Sequence, residues 1–284
     1  MKVLVVGGGG REHTIVWKIA QSPKVDKIYC APGNGGIAEL AECVDISATD
    51  IDGIVKFAEE NQIDLTVVAP DDPLVLGMVD ALNEKGLRAF GPKANAAIIE
   101  GSKAFSKELM KKYNIPTAGY EVFTDSASAI EYVKKGTFPT VIKADGLAAG
   151  KGVVVADSEE AAEDAVRECF AGAFGEAGST VVIEECLTGP ECSLFAFVSA
   201  GKAHCMSTAQ DHKRAFDGDL GPNTGGMGAY SPVPIVTPDQ LNAMRDIMER
   251  AAAATAQEFD NDYRGVLYGG FMLSPQGPKL LEFN

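Results

Sequence analysis

The chain of 284 residues is 46% hydrophobic and 23% charged, which allows a large core and two or three domains. Its formal net charge of −15 argues against non-specific binding to nucleic acid or to an acidic membrane, so an anionic ligand would need local cations. Six cysteines without a CxxC pair indicate reduced thiols, and we expect a cytoplasmic protein without a bilayer-spanning run of residues.

The first predicted element is a buried parallel strand, because the run from Lys2 to Val6 is short and apolar. Since Lys2 opens directly into this strand, we expect no secretory leader. Four glycines, 7–10, then lead into a predicted helix over 11–21, the order in which a doubly wound α/β fold begins. The N-terminus of such a helix favours a phosphate.

This glycine turn does not match the dinucleotide-binding fingerprint. Glu12 stands at the third glycine, and no acidic residue follows the next predicted strand, 27–30, to hold a ribose. We therefore expect a smaller phosphate ligand rather than NAD. Glycines that serve only the tight turn remain a competing interpretation.

Helices and strands continue to alternate up to residue 90. Asp71 and Asp72 follow the C-terminal end of a predicted strand, where open α/β sheets bind ligands. Either carboxylate could accept hydrogen bonds from sugar hydroxyls, or Asp72 could cap the next helix. The pattern predicts a helix over 51–61, a strand over 64–68, a helix over 73–84 and a strand over 87–90.

A second segment begins near Pro92. Ser102 is predicted to cap a helix that runs to Tyr113. Lys103 lies in the first turn, where a cation opposes the helix dipole, so its position indicates either a nearby anion or a solvated side chain. A small α/β unit is then predicted from about residue 120 to 187, with strands at 120, 140, 153 and 180 and helices near 126–134 and 158–170.

The glycine-rich stretch from Lys143 to Gly152 lies between two apolar runs, 139–142 and 153–155. Small residues between two lysines let the backbone approach an anion and turn amide groups towards it. A Walker A loop is excluded, because Asp145 stands at its first glycine and Gly152 at its hydroxyl residue. The pattern predicts a β-loop-β flap over a polyphosphate, and an ordinary glycine-rich hairpin is the alternative.

Polar clusters follow this unit. A predicted strand over 180–187 ends in two acids, and Glu191 begins the next strand. The cluster Gln210-Asp-His-Lys-Arg214 precedes a long glycine-rich stretch, 217–228, which is either functional or disordered. We interpret this stretch as functional because polar and basic residues adjoin it.

The C-terminal segment is predicted to be a helix over 238–259 and a hairpin of strands 263–273 and 278–283. Glu282 and Asn284 are two residues apart on a strand, so their side chains point the same way. One anionic and one neutral oxygen donor suit Mg²⁺, which takes its other ligands from water or phosphate. A polar strand edge explains the pair equally well.

Six motifs are more specific together than separately. The combination resembles the glycinamide ribonucleotide synthetase family of the ATP-grasp superfamily, over the whole chain. The motifs are Gly-Gly-Arg-Glu-His (9–13), Ala-Pro-Gly-Asn (31–34), Lys-Ala-Asp-Gly-Leu-Ala-Ala-Gly-Lys-Gly-Val (143–153), Gln-Asp-His-Lys-Arg (210–214), Gly-Pro-Asn-Thr-Gly-Gly-Met-Gly-Ala-Tyr (221–230) and Leu-Glu-Phe-Asn (281–284).

The resemblance implies an α/β protein in which a doubly wound parallel-sheet domain precedes an ATP-grasp fold with a small α/β lid and a central α+β domain. The implied boundaries are 1–100 for the first domain, 121–187 for the lid, and 101–120 with 188–284 for the central domain. The implied reaction joins glycine to 5-phosphoribosylamine in purine synthesis. It uses ATP and Mg²⁺ or Mn²⁺ in a monomer or weak dimer, without nucleic acid or membrane.

The same resemblance implies a role for each matching residue. Two lysines would hold the ATP phosphates, the glycine loop would close over them, main chain at 184–187 would meet adenine, and Glu191 would meet the ribose. The full nucleotide set is Lys103, Lys143, Gly146, Ala149, Gly150, Lys151, Gly152, Glu184, Glu185, Leu187 and Glu191. The region expected to hold phosphoribosylamine comprises Gly9, Gly10, Arg11, Glu12, Asn34 and Asp71.

The remaining implied roles concern catalysis and the metal. Loops that face substrate and the transferred phosphate contribute Lys213, Asn223, Thr224, Gly225 and Gly226. The implied catalytic residues are Lys143, Asp211 and Arg214, and the implied metal ligands are Glu282 and Asn284.

Two departures from the family pattern affect these expectations. The family has Gly-Pro-Glu where this chain has Ala69-Pro-Asp71, so a shorter carboxylate must reach the ribose. Family members also continue beyond the residue that matches Asn284, with an Arg-Phe-Gly-Asp-Pro-Glu stretch and a further domain. We therefore expect a fragment or trimmed chain whose own activity is an open question.

The sequence shows no motif of an activated nucleophile, which suits substrates that bring their own. In the implied mechanism the glycine carboxylate attacks the γ-phosphate of ATP, and the amine then displaces phosphate from glycyl phosphate. Three alternatives stay open: another purine-pathway ATP-grasp ligase or carboxylase, an NAD-dependent oxidoreductase, and a nucleotide-binding module without turnover.

Overall fold

The computed structural model describes residues 1–146, 152–218, 220–260 and 263–284, except for the side chains at 176, 222 and 223. The residues form two compact units. The first contains Met1–Ile98 and Phe259–Gly265, and the second contains Ile99–Glu258 and Val266–Asn284. The finer division into a lid and a central domain stays a prediction.

The first unit is built on a five-stranded parallel sheet in the order β3-β2-β1-β4-β5. Its strands are β1 (Lys2–Gly7), β2 (Lys27–Pro32), β3 (Glu42–Cys43), β4 (Leu65–Val68) and β5 (Ala89–Phe90). Its helices are α1 (Gly10–Ile19), α2 (Ile51–Glu60), α3 (Asp71–Val75) and α4 (Met78–Glu84), followed by α5 (Ala94–Gly101), which ends in the second unit.

Both faces of this sheet are covered, as the apolar run of β1 predicts. Leu4 and Val6 pack in one core with residues of α2 and α4. Val3 and Val5 pack on the opposite face in a second core that includes Val16 of α1. The predicted doubly wound arrangement is confirmed.

One helix prediction in this unit is wrong in detail. The segment predicted as a single helix over 73–84 is two helices that break at Gly77, which has a φ of +88°. A left-handed residue cannot continue an α-helix, and glycine adopts it at little cost. The first helix starts earlier than predicted, at Asp71, and Pro70 rather than Asp72 is its N-cap residue.

The second unit contains two larger sheets and a small hairpin. A four-stranded sheet has the order β6-β9-β7-β8, and a five-stranded sheet has the order β14-β11-β10-β15-β16. The strands are β6 (Tyr120–Phe123), β7 (Thr140–Ala144), β8 (Val153–Ala156), β9 (Val181–Glu185), β10 (Glu191–Ser199), β11 (Lys202–Asp211), β12 (Arg214–Phe216), β13 (Leu220–Asn223), β14 (Ala229–Tyr230), β15 (Gly265–Ser274, from the first unit's last residue) and β16 (Gly277–Phe283).

The helices of the second unit are close to their predicted positions. Ser102 is the N-cap of α6, and its Oγ accepts a hydrogen bond of 3.0 Å from the Phe105 amide. The helices are α6 (Lys103–Lys112), α7 (Ser126–Val133), α8 (Glu159–Glu168) and α9 (Pro238–Glu258). Short helical turns lie at Ile37–Glu39 in the first unit and at Cys169–Ala173 and Gly175–Ser179 in the second.

The segment after β10 is more regular than the sequence pattern suggests. β11 is a strand of ten residues that we did not predict, and it pairs with β10 in antiparallel register. The stretch predicted as a loose loop over 217–228 contributes to a hairpin of β12 and β13. The sequence pattern missed this strand because the residues of β11 do not alternate cleanly between buried and exposed positions.

No helix within the described part of the chain is long and apolar enough to cross a membrane.

Candidate functional site

The predicted flap has the β-loop-β form that its sequence indicates. β7 and β8 pair in antiparallel register, with Lys143 opposite Val153. The amide of Ala144 donates to the carbonyl of Gly152 over 2.8 Å, so the two ends of the loop meet at its base. The predictions for Ala149, Gly150 and Lys151 stay predictions, because residues 147–151 lie outside the described residues.

Alternation along β7 and β9 separates a core face from a polar face. Ile142 and Ala144 pack with Ile183 in a core that includes residues of α7 and α8. Lys143 and Glu184 therefore lie on the opposite face. Because Glu184 is opposite Val141 and Lys143 is opposite Val182, the two charged side chains are diagonal neighbours.

Glu184 lies between two lysine ammonium groups. Its Oε1 is 2.9 Å from Nζ of Lys143, and its Oε2 is 3.0 Å from Nζ of Lys107 on α6. The side chains of Glu184 and Lys107 are 2% exposed, and that of Lys143 is 8% exposed. Within the described residues, Oε1 accepts no hydrogen bond of good angle, so its contact with Lys143 is an ion pair.

Lys107 was not predicted as a site residue. Burial lowers its pKa to about 8, while Glu184 acts in the opposite direction. Its Nζ also donates to Oγ1 of Thr117 over 2.7 Å, and this hydroxyl donates to the carbonyl of Leu280 over 2.6 Å. The only available sequence signal was a lysine at a helix position that is otherwise buried, between Ser106 and Leu109.

The other predicted phosphate lysine, Lys103, lies at the base of the flap. Its Nζ donates to the carbonyl of Gly146 over 2.7 Å. Burial lowers its pKa, and the charges of Glu282 and Asp145 oppose that effect. A lysine in the first turn of a helix indicated either a nearby anion or a solvated side chain, and the carboxylate of Asp145 is such an anion.

Asp145 joins the flap to the N-terminus of α6. Its carboxylate accepts a hydrogen bond of 3.0 Å from the Ala104 amide, and Ser102 Oγ lies 3.0 Å from its Oδ2. An anion at this position complements the helix dipole and satisfies an unpaired amide of the first turn. The residue that breaks the Walker A pattern therefore has a structural partner, which sequence spacing did not reveal.

The predicted metal ligands lie on the last strand. Glu282 is opposite Gly270, and the main-chain groups of Asn284 and Tyr268 exchange two hydrogen bonds of 3.1 and 2.7 Å. A Cβ at Gly270 would lie 3.3 Å from Cγ of Glu282, so a glycine leaves space beside this carboxylate. Within the described residues, the Glu282 carboxylate forms no ion pair or hydrogen bond, although it acts on Lys103 and Lys107 through space.

This arrangement fits a hard divalent cation. One carboxylate and one amide oxygen are suitable ligands for Mg²⁺, which takes its remaining ligands from water and phosphate. Among the described residues, no group of three or more His, Cys, Asp or Glu side chains could hold a metal ion. A metal at Glu282 would therefore depend on oxygen ligands from a bound nucleotide.

Glu191, predicted to meet a ribose, is paired with a predicted substrate residue. Lys213 Nζ lies 3.0 Å from Oε2 of Glu191. Burial by itself would lower the pKa of Lys213. The charge of Glu191, together with those of Tyr268 and Glu282, outweighs this effect, and the pKa is raised. Tyr268, which we did not predict, lies near both Lys213 and Glu282, and its hydroxyl is 3.1 Å from Ser193 Oγ.

The loop after β11 is organised by its own hydrogen bonds. Arg214 donates from Nη1 to the carbonyl of Gly221 over 2.7 Å. Thr224 Oγ1 donates to the carbonyl of Lys213 over 2.9 Å, and the amide of Gly226 donates to Thr224 Oγ1 over 3.1 Å. The ligand contacts predicted for Lys213, Arg214, Thr224 and Gly226 stay predictions, as do those for Asp211, Asn223 and Gly225.

The main chain predicted to meet adenine is partly used by the sheet. The carbonyl of Glu184 accepts from Thr140 Oγ1, and the amide of Glu185 donates to the carbonyl of Gly119, both over 2.9 Å. The Glu185 side chain pairs with Lys279 at 2.7 Å. An adenine contact therefore depends mainly on residues beyond the strand, up to Leu187.

The predicted phosphoribosylamine residues follow the carboxyl ends of β1, β2 and β4, the three inner strands of the parallel sheet in the first unit. The strand order reverses between β1 and β4, and ligands of open α/β sheets bind at such a switch point. Arg11, after β1, donates from Nη1 to the carbonyl of Ala69, after β4, over 3.0 Å. Asp71, Gly9 and Gly10 belong to the same two connections.

Two of these residues stabilise the glycine turn itself. The carboxylate of Glu12 is buried, with the residue 5% exposed, and accepts the Gly9 amide over 2.6 Å. Asn34 donates from Nδ2 to the carbonyl of Gly8 over 2.9 Å and accepts from the Ile37 amide. Gly7 has a φ of +119°, and a Cβ there would lie 2.5 Å from Cγ of Glu12. The competing interpretation of a structural turn thus accounts for part of this motif.

Comparison with known proteins identifies similar sequences over the whole chain. Residues 1–100 match the N domain of phosphoribosylglycinamide synthetase, and residues 101–284 match its ATP-grasp (A) domain. The chain is 56% identical to the phosphoribosylamine–glycine ligase of Halalkalibacterium halodurans, and the match covers 100% of this chain and 67% of that protein. It is 51% identical to the Haemophilus influenzae ligase, and that match covers 100% of this chain and 67% of the relative. The chain therefore spans about two thirds of the length of these relatives.

Solved structures share the fold. A phosphoribosylamine–glycine ligase from Thermotoga maritima superposes with a TM-score of 0.85 at 33% identity, over 100% of this chain and 68% of that one. A biotin carboxylase from Campylobacter jejuni superposes with a TM-score of 0.82 at 14% identity, over 100% and 64%. The second likeness concerns the fold alone.

Proposed function

The chain belongs to the phosphoribosylglycinamide synthetase family, and on this basis we propose that it uses ATP to ligate glycine to 5-phosphoribosylamine. The observation that best supports the proposal is the grouping of Lys143, Lys103 and Glu282 around the base of the flap within one unit. These groups supply the local positive charge and the metal ligand that a triphosphate needs in a protein of net charge −15.

The reaction has two steps, and the substrates supply both nucleophiles. A carboxylate oxygen of glycine attacks the γ-phosphorus of ATP, the bond to the bridging oxygen breaks, and ADP leaves. The amine of phosphoribosylamine then attacks the acyl carbon of glycyl phosphate. Inorganic phosphate leaves, the amine loses a proton, and an amide remains.

The proposed work of the protein is to position these groups and to stabilise charge. Lys143 and Lys103 would donate to phosphate oxygens, and the flap ends Gly146 and Gly152 would bring main-chain amides near them. Glu191 would accept hydrogen bonds from the ribose hydroxyls, which requires Lys213 to share or leave its ion pair. The residues up to Leu187 would meet the adenine edge.

Glu282 and Asn284 are the proposed ligands of Mg²⁺ or Mn²⁺. When bound, the cation would neutralise charge on the triphosphate and polarise its phosphoryl oxygens. The Glu282 carboxylate is suited to this role because, within the described residues, it has no hydrogen-bonded partner to displace.

The remaining proposed contacts concern the two substrates. The switch point of the first unit, with Arg11 and Asp71, would bind phosphoribosylamine, and Glu12 and Asn34 would hold its glycine turn in place. Asp211, Lys213 and Arg214, with residues 223–226, would face glycine and the transferred phosphate.

We further propose that the protein acts in the cytoplasm as a monomer or weak dimer. All six cysteines are free thiols, which is typical of proteins in a reducing compartment.

The test is ADP release by this chain in the presence of Mg·ATP, glycine and phosphoribosylamine. We expect release to require both glycine and phosphoribosylamine, with glycinamide ribonucleotide formed in equal amount. ADP release with bicarbonate or another carboxylate in place of glycine would favour a different ATP-grasp reaction. Binding of Mg·ATP without turnover would favour the nucleotide-binding module.

A further inference from the structure

Lys107 is a buried cation to which neither the family resemblance nor the proposed chemistry gives a role. It faces the same carboxylate as Lys143, on the opposite side of Glu184. Its position is fixed independently, because Thr117 Oγ1 accepts a hydrogen bond from its ammonium and in turn donates one to the main chain of β16. Charged and titratable groups from four elements lie near it: Tyr120 on β6, Lys143 on β7, Glu184 and Glu185 on β9, and Glu282 on β16.

We propose that Lys107 is a positioning residue that shares the charge of Glu184 and thereby keeps the ammonium of Lys143 available to a triphosphate. The inference rests on the proposed nucleotide site. Lys107 lies 3.0 Å from one oxygen of Glu184, and Lys143 lies 2.9 Å from the other, so each lysine has one oxygen.

The geometry at Lys143 supports this division. Oε1 of Glu184 accepts no hydrogen bond of good angle from the described residues, although the ammonium of Lys143 lies within ion-pair distance. The ammonium of Lys107 has a second partner in Thr117 Oγ1 at 2.7 Å, whereas among the described residues Glu184 is the one ion-pair partner of Lys143. Since an ammonium has three N–H donors, Lys143 retains donors for phosphate oxygens.

Without Lys107, the carboxylate would have a single cationic partner. In an interior of low dielectric, Glu184 and Lys143 would then form a tighter pair, because the competing charge and its repulsion of Lys143 are gone. The trio would also change from a net charge of +1 to zero. Both effects weaken the attraction of the site for an anionic nucleotide.

The test compares the full chain with Lys107→Met, which keeps the length and apolar character of the buried stem. Lys111→Met is the matched control, since Lys111 lies on the same helix, is exposed, and lies 5.9 Å from the same Tyr120 ring as Lys107. The first measurement is the rate at which acetic anhydride labels Lys143 in the nucleotide-free chain at pH 7, read by mass spectrometry.

We expect Lys107→Met to slow the labelling of Lys143 by roughly tenfold, about the effect of one charge-assisted hydrogen bond. A merely structural role would act in the opposite direction, because lost packing exposes Lys143 and speeds its labelling. An unchanged or faster rate in Lys107→Met overturns the proposal. Lys111→Met should label at the wild-type rate.

The second measurement is the binding of Mg·ATP by titration calorimetry. We expect the Kd to rise roughly tenfold in Lys107→Met and to change by less than about twofold in Lys111→Met. Slower labelling with an unchanged Kd would overturn the role in nucleotide binding. If the unmodified chain does not bind Mg·ATP, the proposed function fails, and the labelling rates alone decide whether Lys107 controls Lys143.

Discussion

Glu184 illustrates how a buried charge network is arranged residue by residue. A carboxylate that is almost fully buried requires compensation, and each of its oxygens has a lysine within 3.0 Å. Because one of these lysines is a proposed phosphate ligand, the network holds a cation at the proposed nucleotide site and divides the charge of the carboxylate between two partners. The geometry thereby connects a core feature with binding.

Replacement of Lys143 by alanine should reduce turnover strongly. The change removes a preorganised charge donor from the proposed site, and such losses lower kcat by roughly 10²–10³. The measurement is steady-state ADP release with saturating glycine and phosphoribosylamine. Lys135→Ala is the control, because its side chain is 71% exposed and pairs only with Glu131 among the described residues. Near-normal turnover in Lys143→Ala would reject its role.

Lys107 should also make stability depend on pH. Burial lowers its pKa from 10.5 to about 8, so between these values the unfolded chain binds more protons than the folded chain. Its contribution to the free energy of unfolding should therefore rise as the pH increases from about 8 to about 10.5, by at most about 1.4 kcal/mol per pH unit.

Urea unfolding of the wild-type chain and of Lys107→Met at pH 7.5 and 9.5 measures this contribution. The stability difference between the two chains should shift in favour of the wild type at the higher pH. A difference that is the same at both pH values would contradict the lowered pKa of Lys107.

At the scale of single elements, the flap is attached to a helix that precedes it by some 40 residues. Ser102, Lys103 and the amide of Ala104 at the start of α6 all contact the flap base at Asp145 or Gly146. The attachment uses the unpaired amides and the dipole of the helix N-terminus. It thereby fixes the position of one end of the flap.

Asp145→Ala should loosen this attachment. We expect a loss of stability of about 1 kcal/mol, the usual effect of removing a side chain that caps a helix, and a higher KM for ATP. Asp145→Asn retains an acceptor for the Ala104 amide and should lose less. Thermal unfolding and ADP-release kinetics measure the two effects.

Asp157→Ala serves as the control for that experiment, because Asp157 is an exposed acid just after the other strand of the flap. An Asp145→Ala chain that matches Asp157→Ala in both stability and KM would show that the contact with α6 has no role.

For the whole molecule, nucleotide and metal should act together on stability. A ligand that binds only the folded chain stabilises it by RT ln(1 + [L]/Kd), about 2.7 kcal/mol at a concentration of 100 Kd. Since Glu282 and Asn284 provide only two oxygen ligands, we expect the metal and ATP to stabilise the protein more strongly together than either does separately.

Thermal unfolding with ATP plus EDTA, with Mg²⁺ alone, and with ATP plus Mg²⁺ measures this dependence. Glu282→Gln should abolish most of the additional stabilisation by the metal while leaving the Tm of the ligand-free chain close to wild type. Equal stabilisation by ATP with Mg²⁺ and by ATP with EDTA would contradict the proposed metal site.

Local sequence patterns were sufficient to predict most elements and the fold class. Apolar runs such as Lys2–Val6, the cap at Ser102 and the apolar runs on either side of the glycine loop depend on local periodicity and backbone preferences, which neighbouring residues largely decide. The motifs also indicated Lys143, Lys103 and Glu282. They left open whether Glu12 and Asn34 bind a ligand or stabilise a turn.

The partners of these residues, in contrast, depend on long-range contacts within the folded chain. Lys107 and Glu184 are 77 positions apart in the numbering, and Asp145 meets the amide of Ala104, so no local pattern relates them. β11 was also missed, because its residues alternate only weakly between polar and apolar and the strand is stabilised by its pairing with β10. Burial and long-range pairing depend on which distant segments meet, and these contacts are fixed by the fold of the whole unit rather than by adjacent residues.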